Sequence, residues 1–145
     1  MASAVTLVPY GELHRFIPLV TPVIWKSEIM TRGRSSIDDI FKFLFNGSMH
    51  LWIVFDDESE KIHGYVMTEI KEYPRCKMLV MQYCAGDNGA IEAAGELVFG
   101  TLESFAKDGG CAGIEFLGRP GWAPLAKRLG CTVQTIMYEK YFSEE

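Results

Sequence analysis

The stretch of sequence that decides the fold is residues 118–131, which read GRPGWAPLAKRLGC. It predicts a short helix with a defined start and a defined end. Pro124 suits the first helical turn, because its fixed φ is already helical and that turn requires no amide donor. Gly130 suits the position after the last turn, where φ is positive and glycine is the least strained residue. Lys127 and Arg128 fall in the last turn and complement the negative end of the helix dipole.

Segments rich in β-branched and aromatic residues lie on both sides of this helix. We expect Ala112–Leu117 and Thr132–Phe142 to form strands. Upstream, Ala90–Lys107 has apolar residues at helical spacing and predicts a long amphipathic helix. It connects the apolar strand candidate Lys77–Cys84 to Ala112–Leu117, so these two strands should run parallel with a right-handed crossover.

The first half of the chain predicts one strand, two helical regions and an antiparallel meander. Ala4–Val8 reads as the first strand. Glu12–Met30 has helical spacing, but Pro18 and Pro22 must kink or split that helix. Ser36–Phe45 predicts a helix with acidic residues in its first turn. The meander strands are expected at Leu51–Phe55, Ile62–Tyr73 and Lys77–Cys84.

Composition and charge narrow the class of protein. The 145 residues fit one domain, 1–145, and 48% of them are apolar, enough for a real core. A net charge of −5 argues against binding to nucleic acid or to an anionic membrane. The apolar runs are too short to span a bilayer, and the N-terminus lacks the features of a signal peptide. We therefore expect a cytoplasmic protein with no nucleic-acid or membrane partner.

The cysteines and histidines are scattered along the chain and predict no metal site. No two cysteines form a CxxC pair, and no histidine lies at metal-ligand spacing from one. Cysteines in such a pattern act as small apolar residues in a reducing compartment. The four cysteines are Cys76, Cys84, Cys111 and Cys131.

The predicted order of elements resembles the GNAT (Gcn5-related N-acetyltransferase) fold over nearly the whole chain. Residues 68–75, 102–106 and 118–122, which read TEIKEYPR, LESFA and GRPGW, resemble the small GNAT-like proteins of tailed phages and prophages. The resemblance implies an α/β (α+β) fold, with a mixed, mostly antiparallel central sheet flanked by helices. It also implies a parallel, splayed central strand pair and acetyl-CoA as the cofactor.

The resemblance also places a cofactor site. In active GNAT enzymes the backbone of the central strand pairs with the pantetheine arm, and a loop of small residues binds the pyrophosphate at a helix start. The superfamily's loop pattern [RQ]-x-x-G-x-[GA] is absent here, no Arg or Lys lies in the loop, and Asp87 and Glu92 add negative charge. A capped helix start explains the loop residues as well. The expected cofactor-binding residues are Gln82, Tyr83, Cys84, Gly86, Asn88, Gly89 and Ala90, with Arg119 and Trp122 near the mouth.

Arg119 and Trp122 have two interpretations. They can stack on an adenine or on a partner surface, or the indole can pack the short helix onto the sheet. The superfamily's usual tyrosine, which protonates the departing thiolate, aligns with Ala126. The remaining catalytic candidates are Glu69, to deprotonate an amine, and Tyr138, to act as an acid. A solvent-facing carboxylate and a tyrosine at the edge of the core are the alternatives.

Two functions follow from these residues. The first is a GNAT-fold, phage-type protein with an eroded acetyl-CoA site, non-catalytic or weakly active, that serves as a virion, assembly or interaction component. Its location would be the host cytoplasm or the virion, and its partners a second copy or other phage virion proteins. The second is an acetyl-CoA-dependent N-acetyltransferase of an unknown amine. A sensor that binds CoA without transfer is a third. A subunit contact would use Val133, Ile136, Met137, Tyr141 and Phe142.

Overall fold

The structure is a computed structural model, which describes residues 3–87, 89–118 and 120–143. Over these residues one sheet forms, with its strands in chain order from β1 to β5. Neighbouring strands are antiparallel except for β4 and β5, which run parallel. This arrangement confirms the expected mixed sheet. The strands are β1 (Ser3–Leu7), β2 (His50–Asp56), β3 (Ile62–Glu72), β4 (Lys77–Gly86) and β5 (Gly113–Phe116).

Two helices, α1 (Leu13–Met30) and α2 (Ile37–Phe45), cover one face of the sheet. The apolar side chains of both helices pack against those of β2 and β3, which gives this half of the core. Ser36 caps α2 as predicted: the amide of Asp39 donates to its Oγ at 3.2 Å, and the Ser36 amide donates to Asp39 Oδ2 at 3.0 Å.

The two prolines predict a kinked or split helix, and the prediction of a split is wrong. The helix α1 is continuous from Leu13 to Met30 with both Pro18 and Pro22 inside it. Burial accounts for this, because Val20 and Ile24, which flank Pro22, are fully buried against the sheet and hold this part of the chain in one helix.

The predicted helix Ala90–Lys107 is interrupted at Ala94, which separates α3 (Ala90–Ala93) from α4 (Gly95–Asp108). The interruption lies where another helix, α5 (Ala123–Arg128), packs closely. A Cβ added to Gly95 would lie 2.7 Å from Leu125 Cδ2, so a larger residue here would require the Leu125 side chain to shift. Together α3, α4 and α5 cover the second face of the sheet.

The short helix that decided the fold ends as predicted. Gly130 has a φ of +81°, and the amide of Cys131 donates to the carbonyl of Ala126 at 2.9 Å, which closes the last turn. Cys131 is partly buried against the second core cluster, together with Cys84 and Cys111. Burial raises the pKa of the Cys131 thiol, consistent with an unreactive packing residue.

The predicted last strand, Thr132–Phe142, is wrong, because residues 131–141 have no regular secondary structure and are largely exposed. The ends of this segment explain the difference. Its start is fixed at α5, and Glu139 and Tyr141 bind Arg32 and Arg34 in the turn after α1. Those contacts hold the segment without pairing it to β5. Across the described residues, no helix is long and apolar enough to cross a membrane.

Candidate functional site

The central feature of the site is the last part of β4. β3 pairs with β4 as far as Gly86, whereas β5 pairs with β4 only over Met78–Met81. In the described part of the chain, no strand pairs with the other edge of Gln82–Gly86. A strand edge of this kind presents N–H and C=O groups to an extended ligand. The parallel pairing therefore ends at the position where the cofactor arm was expected.

A β-bulge places two of the predicted site residues together. The β3–β4 register skips Gln82, which bulges between Met81 and Tyr83. The amide of Gln82 donates a hydrogen bond from Nε2 to Oε1 of Glu69 on β3. Sequence reasoning assigned Gln82 to the cofactor and Glu69 to catalysis. The bulge brings the carboxylate to the point where the strand edge becomes free.

Tyr83 and Cys84 point away from any shared pocket, because successive side chains of a strand alternate between faces. Tyr83 packs with the α1 core cluster and its hydroxyl donates to Ser35 Oγ at 3.4 Å, whereas Cys84 packs with the α4 cluster. A role for either residue in cofactor binding would therefore use the backbone alone.

The loop after β4 is tightly connected to β3. A Cβ on Gly86 would lie 2.9 Å from the carbonyl of His63, so the close strand approach requires glycine here. The amide of Asp87 donates to that carbonyl at 2.8 Å, and the amide of Ala90 donates to the carbonyl of Asp87 at 2.8 Å. Gly89 has a φ of +76°, which favours glycine. Asn88 and Arg119 lie outside the described residues.

A lysine that sequence reasoning missed lies at this loop. Nζ of Lys26, on α1, donates to the carbonyl of Gly86 at 3.2 Å. Lys26 is remote from the loop in sequence, so no local pattern predicts this contact. In the structure it lies on α1 between the buried residues Ile24 and Ser27. The loop thus has a neighbouring cation even though it contains none.

Trp122 lies beside the end of the parallel pair β4–β5. Its ring packs against Phe116 with centroids 6.2 Å apart, as the packing interpretation predicted. An apolar cavity of about 10 Å³ remains between β4 and α5, with room for about one water molecule. The cavity is lined by Met81, Ile91, Gly95, Val98, Phe99, Phe116, Trp122, Leu125, Ala126 and Leu129.

One buried polar atom at this cleft, Trp122 Nε1, has no hydrogen-bond partner among the described residues; a second such atom, His63 Nε2 on β3, is not part of the cavity lining. Buried polar groups are almost always paired in proteins, so such atoms mark positions where a ligand can supply the partner. Together with the edge of β4 that no described strand pairs with, the indole N–H fits an extended, polar cofactor arm. The cavity itself, at about 10 Å³, is too small for that arm.

Tyr138 is not part of this arrangement. It lies in the irregular C-terminal segment, where 89% of its surface is exposed. The expectation that it sits on a last strand fails with the strand itself. In the described chain, Glu69 and Gln82 are the pair of predicted polar site residues that the fold joins.

Solved structures of similar fold include acetyltransferases. An acetyltransferase from Trypanosoma brucei has a TM-score of 0.67 at 11% identity, covering 97% of this chain and 100% of that chain. A GCN5-related N-acetyltransferase from Ralstonia eutropha has a TM-score of 0.68 at 17% identity, covering 98% and 100%. The chain has the GNAT fold.

A third structure with the GNAT architecture is glucosamine-6-phosphate N-acetyltransferase from Arabidopsis thaliana, with a TM-score of 0.66 at 14% identity, covering 99% of this chain and 100% of that chain. No protein-family model and no curated protein sequence matches the chain. Identities this low establish the fold and not the activity. The resemblance to phage proteins stays a prediction.

Proposed function

We propose that this protein is an acetyl-CoA-dependent N-acetyltransferase that acts slowly and by positioning. The observation that carries the proposal is the Glu69–Gln82 contact at the point where β4 loses its pairing with β5. Acetyl-CoA supplies an activated thioester when bound. The groups that would hold it are the backbone of Gln82–Gly86 on the edge that no described strand pairs with, Trp122 Nε1 and the loop beside Lys26.

Glu69 supplies the chemistry that the protein itself can perform. An amine attacks only in its neutral form, and a carboxylate within hydrogen-bond reach can accept the proton of the ammonium. The amide of Gln82 occupies one carboxylate oxygen and fixes the orientation of the other. Ala126 offers no acid for the departing thiolate, so we expect positioning to supply most of the rate enhancement.

The experiment pairs acetyl-CoA calorimetry with a thiol-release assay over a panel of primary amines. Glu69→Gln should lower turnover about 100-fold or more while leaving acetyl-CoA affinity unchanged. Glu72→Gln, an exposed carboxylate on the same strand, is the matched control and should behave as wild type. No binding at millimolar acetyl-CoA, or equal turnover in the two variants, would refute the proposal.

A second function is favoured by the C-terminal segment. It exposes large apolar side chains, among them Val133 at 84% and Phe142 at 99% of their surface. Exposed apolar residues in one segment are typical of a contact surface. On this alternative the GNAT fold is a phage virion or assembly component with an eroded site. Mass spectrometry of purified phage particles and sedimentation of the purified protein test it: absence from particles and a monomer at all concentrations would exclude it.

A further inference from the structure

Two arginines in the turn between α1 and α2 converge on one carboxylate. Arg32 Nε lies 2.5 Å from Glu139 Oε1, and Arg34 Nη2 lies 2.9 Å from Glu139 Oε2. Each carboxylate oxygen thus has its own guanidinium. The hydrogen bond from Arg34 is the main cause that lowers the pKa of Glu139, so the carboxylate is ionised at neutral pH.

Tyr141 completes this cluster from the same segment. Both guanidinium groups lie over its ring, at 5.5 Å for Arg32 and 5.9 Å for Arg34 from the ring centroid. Its hydroxyl donates to the carbonyl of Arg32 at 2.7 Å and accepts from Arg34 Nη1 at 3.1 Å. The two cations are therefore held side by side, in the arrangement that binds a carboxylate or a phosphate.

The turn that presents the arginines is braced by its own side chains. Oγ1 of Thr31 donates to the carbonyl of Glu28 at 2.8 Å and accepts from the amide of Ser35 at 3.2 Å. Arg32 has a φ of +55°. This backbone conformation is strained for a residue with a Cβ, and such conformations are enriched at functional sites. The surrounding turn keeps this conformation.

The turn borders the candidate catalytic strand. The hydroxyl of Tyr83 donates a hydrogen bond to Oγ of Ser35, next to Arg34, at 3.4 Å. Tyr83 directly follows the bulge at Gln82. The turn therefore lies on the α1 side of the sheet, beside Tyr83 near the end of β4. An acceptor that extends from Glu69 past Tyr83 would reach this turn.

We propose that Arg32 and Arg34 bind an anionic group of the acceptor, a carboxylate or phosphate on the molecule that carries the amine, and that Glu139 is an internal substitute for that group. This inference rests on the proposed function, because it takes the molecule that carries the amine to be the acetyl acceptor. These ion pairs lie at the surface, with more than half of each arginine side chain exposed, where such pairs contribute little to stability. An external anion can therefore displace Glu139.

The test uses amines in matched pairs, with and without the anion: alanine against alaninamide, and phosphoethanolamine against ethanolamine. The wild-type KM should be about tenfold lower for the anionic member of each pair. Arg32→Gln and Arg34→Gln should remove that preference. Glu139→Gln should lower the KM of the anionic amines by up to about fivefold, because it weakens the internal competitor.

Arg15→Gln is the matched control, because Arg15 also forms a surface ion pair, with Glu12 at 2.9 Å, in a different part of the chain. It should leave every KM unchanged. Unequal effects of Arg15→Gln and Arg34→Gln support the site, whereas an anion preference that survives Arg34→Gln and Arg32→Gln overturns it. Circular dichroism and the melting temperature of each variant exclude unfolding as the cause.

A second readout requires no acetyl transfer. Phosphoethanolamine binding is followed by calorimetry and by the rate at which trypsin cleaves after the exposed Lys140, which should rise when Glu139 is displaced. Binding that is lost in Arg34→Gln, in a protein that transfers no acetyl group, would support the anion site and refute the proposed function. Turnover with equal KM values for charged and neutral amines would support the proposed function and refute the anion site.

Discussion

Gly64 is the position where a single methyl group should disturb both the fold and the site. A Cβ at Gly64 would lie 2.8 Å from the carbonyl oxygen of Ala85 and 2.9 Å from Ile91 Cδ1, where ordinary contacts begin at 3.4 Å. The obstacle is backbone on one side, so β3 and β4 must separate by about 0.6 Å. Overpacking of this kind costs about 1–3 kcal/mol, and a backbone obstacle places Gly64→Ala near the upper end, at about 2–3 kcal/mol.

The same substitution at Gly100 should have the opposite sign. Gly100 lies inside α4, and an added Cβ would meet nothing within 4 Å. Removing the helix-propensity penalty of glycine should stabilise the protein by about 1 kcal/mol. Urea unfolding followed by circular dichroism measures both variants, with the melting temperature as a second measure, at about 3 °C per kcal/mol for a chain of this size.

A change in the free energy of unfolding of less than about 0.5 kcal/mol in Gly64→Ala would refute the packing argument, because the strands would then tolerate a separation that dense packing should resist. If Gly100→Ala destabilises the protein, the open space beside α4 is occupied by something that the structure does not include. Because Gly64 lies opposite Gly86, Gly64→Ala should also weaken acetyl-CoA binding.

Two further predictions concern Thr68, which is fully buried and whose Oγ1 accepts from Trp52 Nε1 at 3.0 Å. Thr68→Val should cost about 1–3 kcal/mol in urea unfolding because it leaves the indole N–H unpaired, and Thr68→Ser should cost less; equal losses would contradict the hydrogen bond. His50 Nδ1 lies 3.0 Å from the same Oγ1, and burial lowers the pKa of His50 below its usual 6.5. The fold therefore favours neutral His50, and stability should fall as the pH drops from 7 to 5; His50→Gln should flatten that dependence, and an unchanged slope would show that other groups cause it.

Local chemistry made most of the fold predictable. The proline and glycine of residues 118–131 act through their own backbone angles, so they marked α5 without any knowledge of tertiary contacts. Alternation and apolar content located β2, β3 and β4 for the same reason. The break at Ala94 was not predictable from helical spacing; it lies next to Gly95, which Leu125 approaches from a helix about 30 residues away in the sequence.

The C-terminal segment shows where β propensity fails. Thr132–Phe142 is rich in strand-forming residues, but propensity acts only when a partner strand accepts the backbone. Glu139 and Tyr141 bind the turn after α1, and no local pattern encodes that pairing over more than 100 residues. Lys26 was missed in the same way, since its partner is a backbone carbonyl on β4. Contacts between distant segments, rather than residue types, complete the candidate site.

Trp122 and Ala126 explain how this GNAT fold departs from the usual chemistry while the cleft stays filled. They lie four residues apart, as neighbours on one side of the chain, and both line the cavity beside Met81. The resemblance aligns Ala126 with the tyrosine that usually protonates the departing thiolate. The buried indole N–H of Trp122 can donate a hydrogen bond into the cleft, but it cannot release a proton as a phenol does. On the proposed function, this site would therefore bind a polar arm without supplying an acid, and transfer would be slow and depend on positioning.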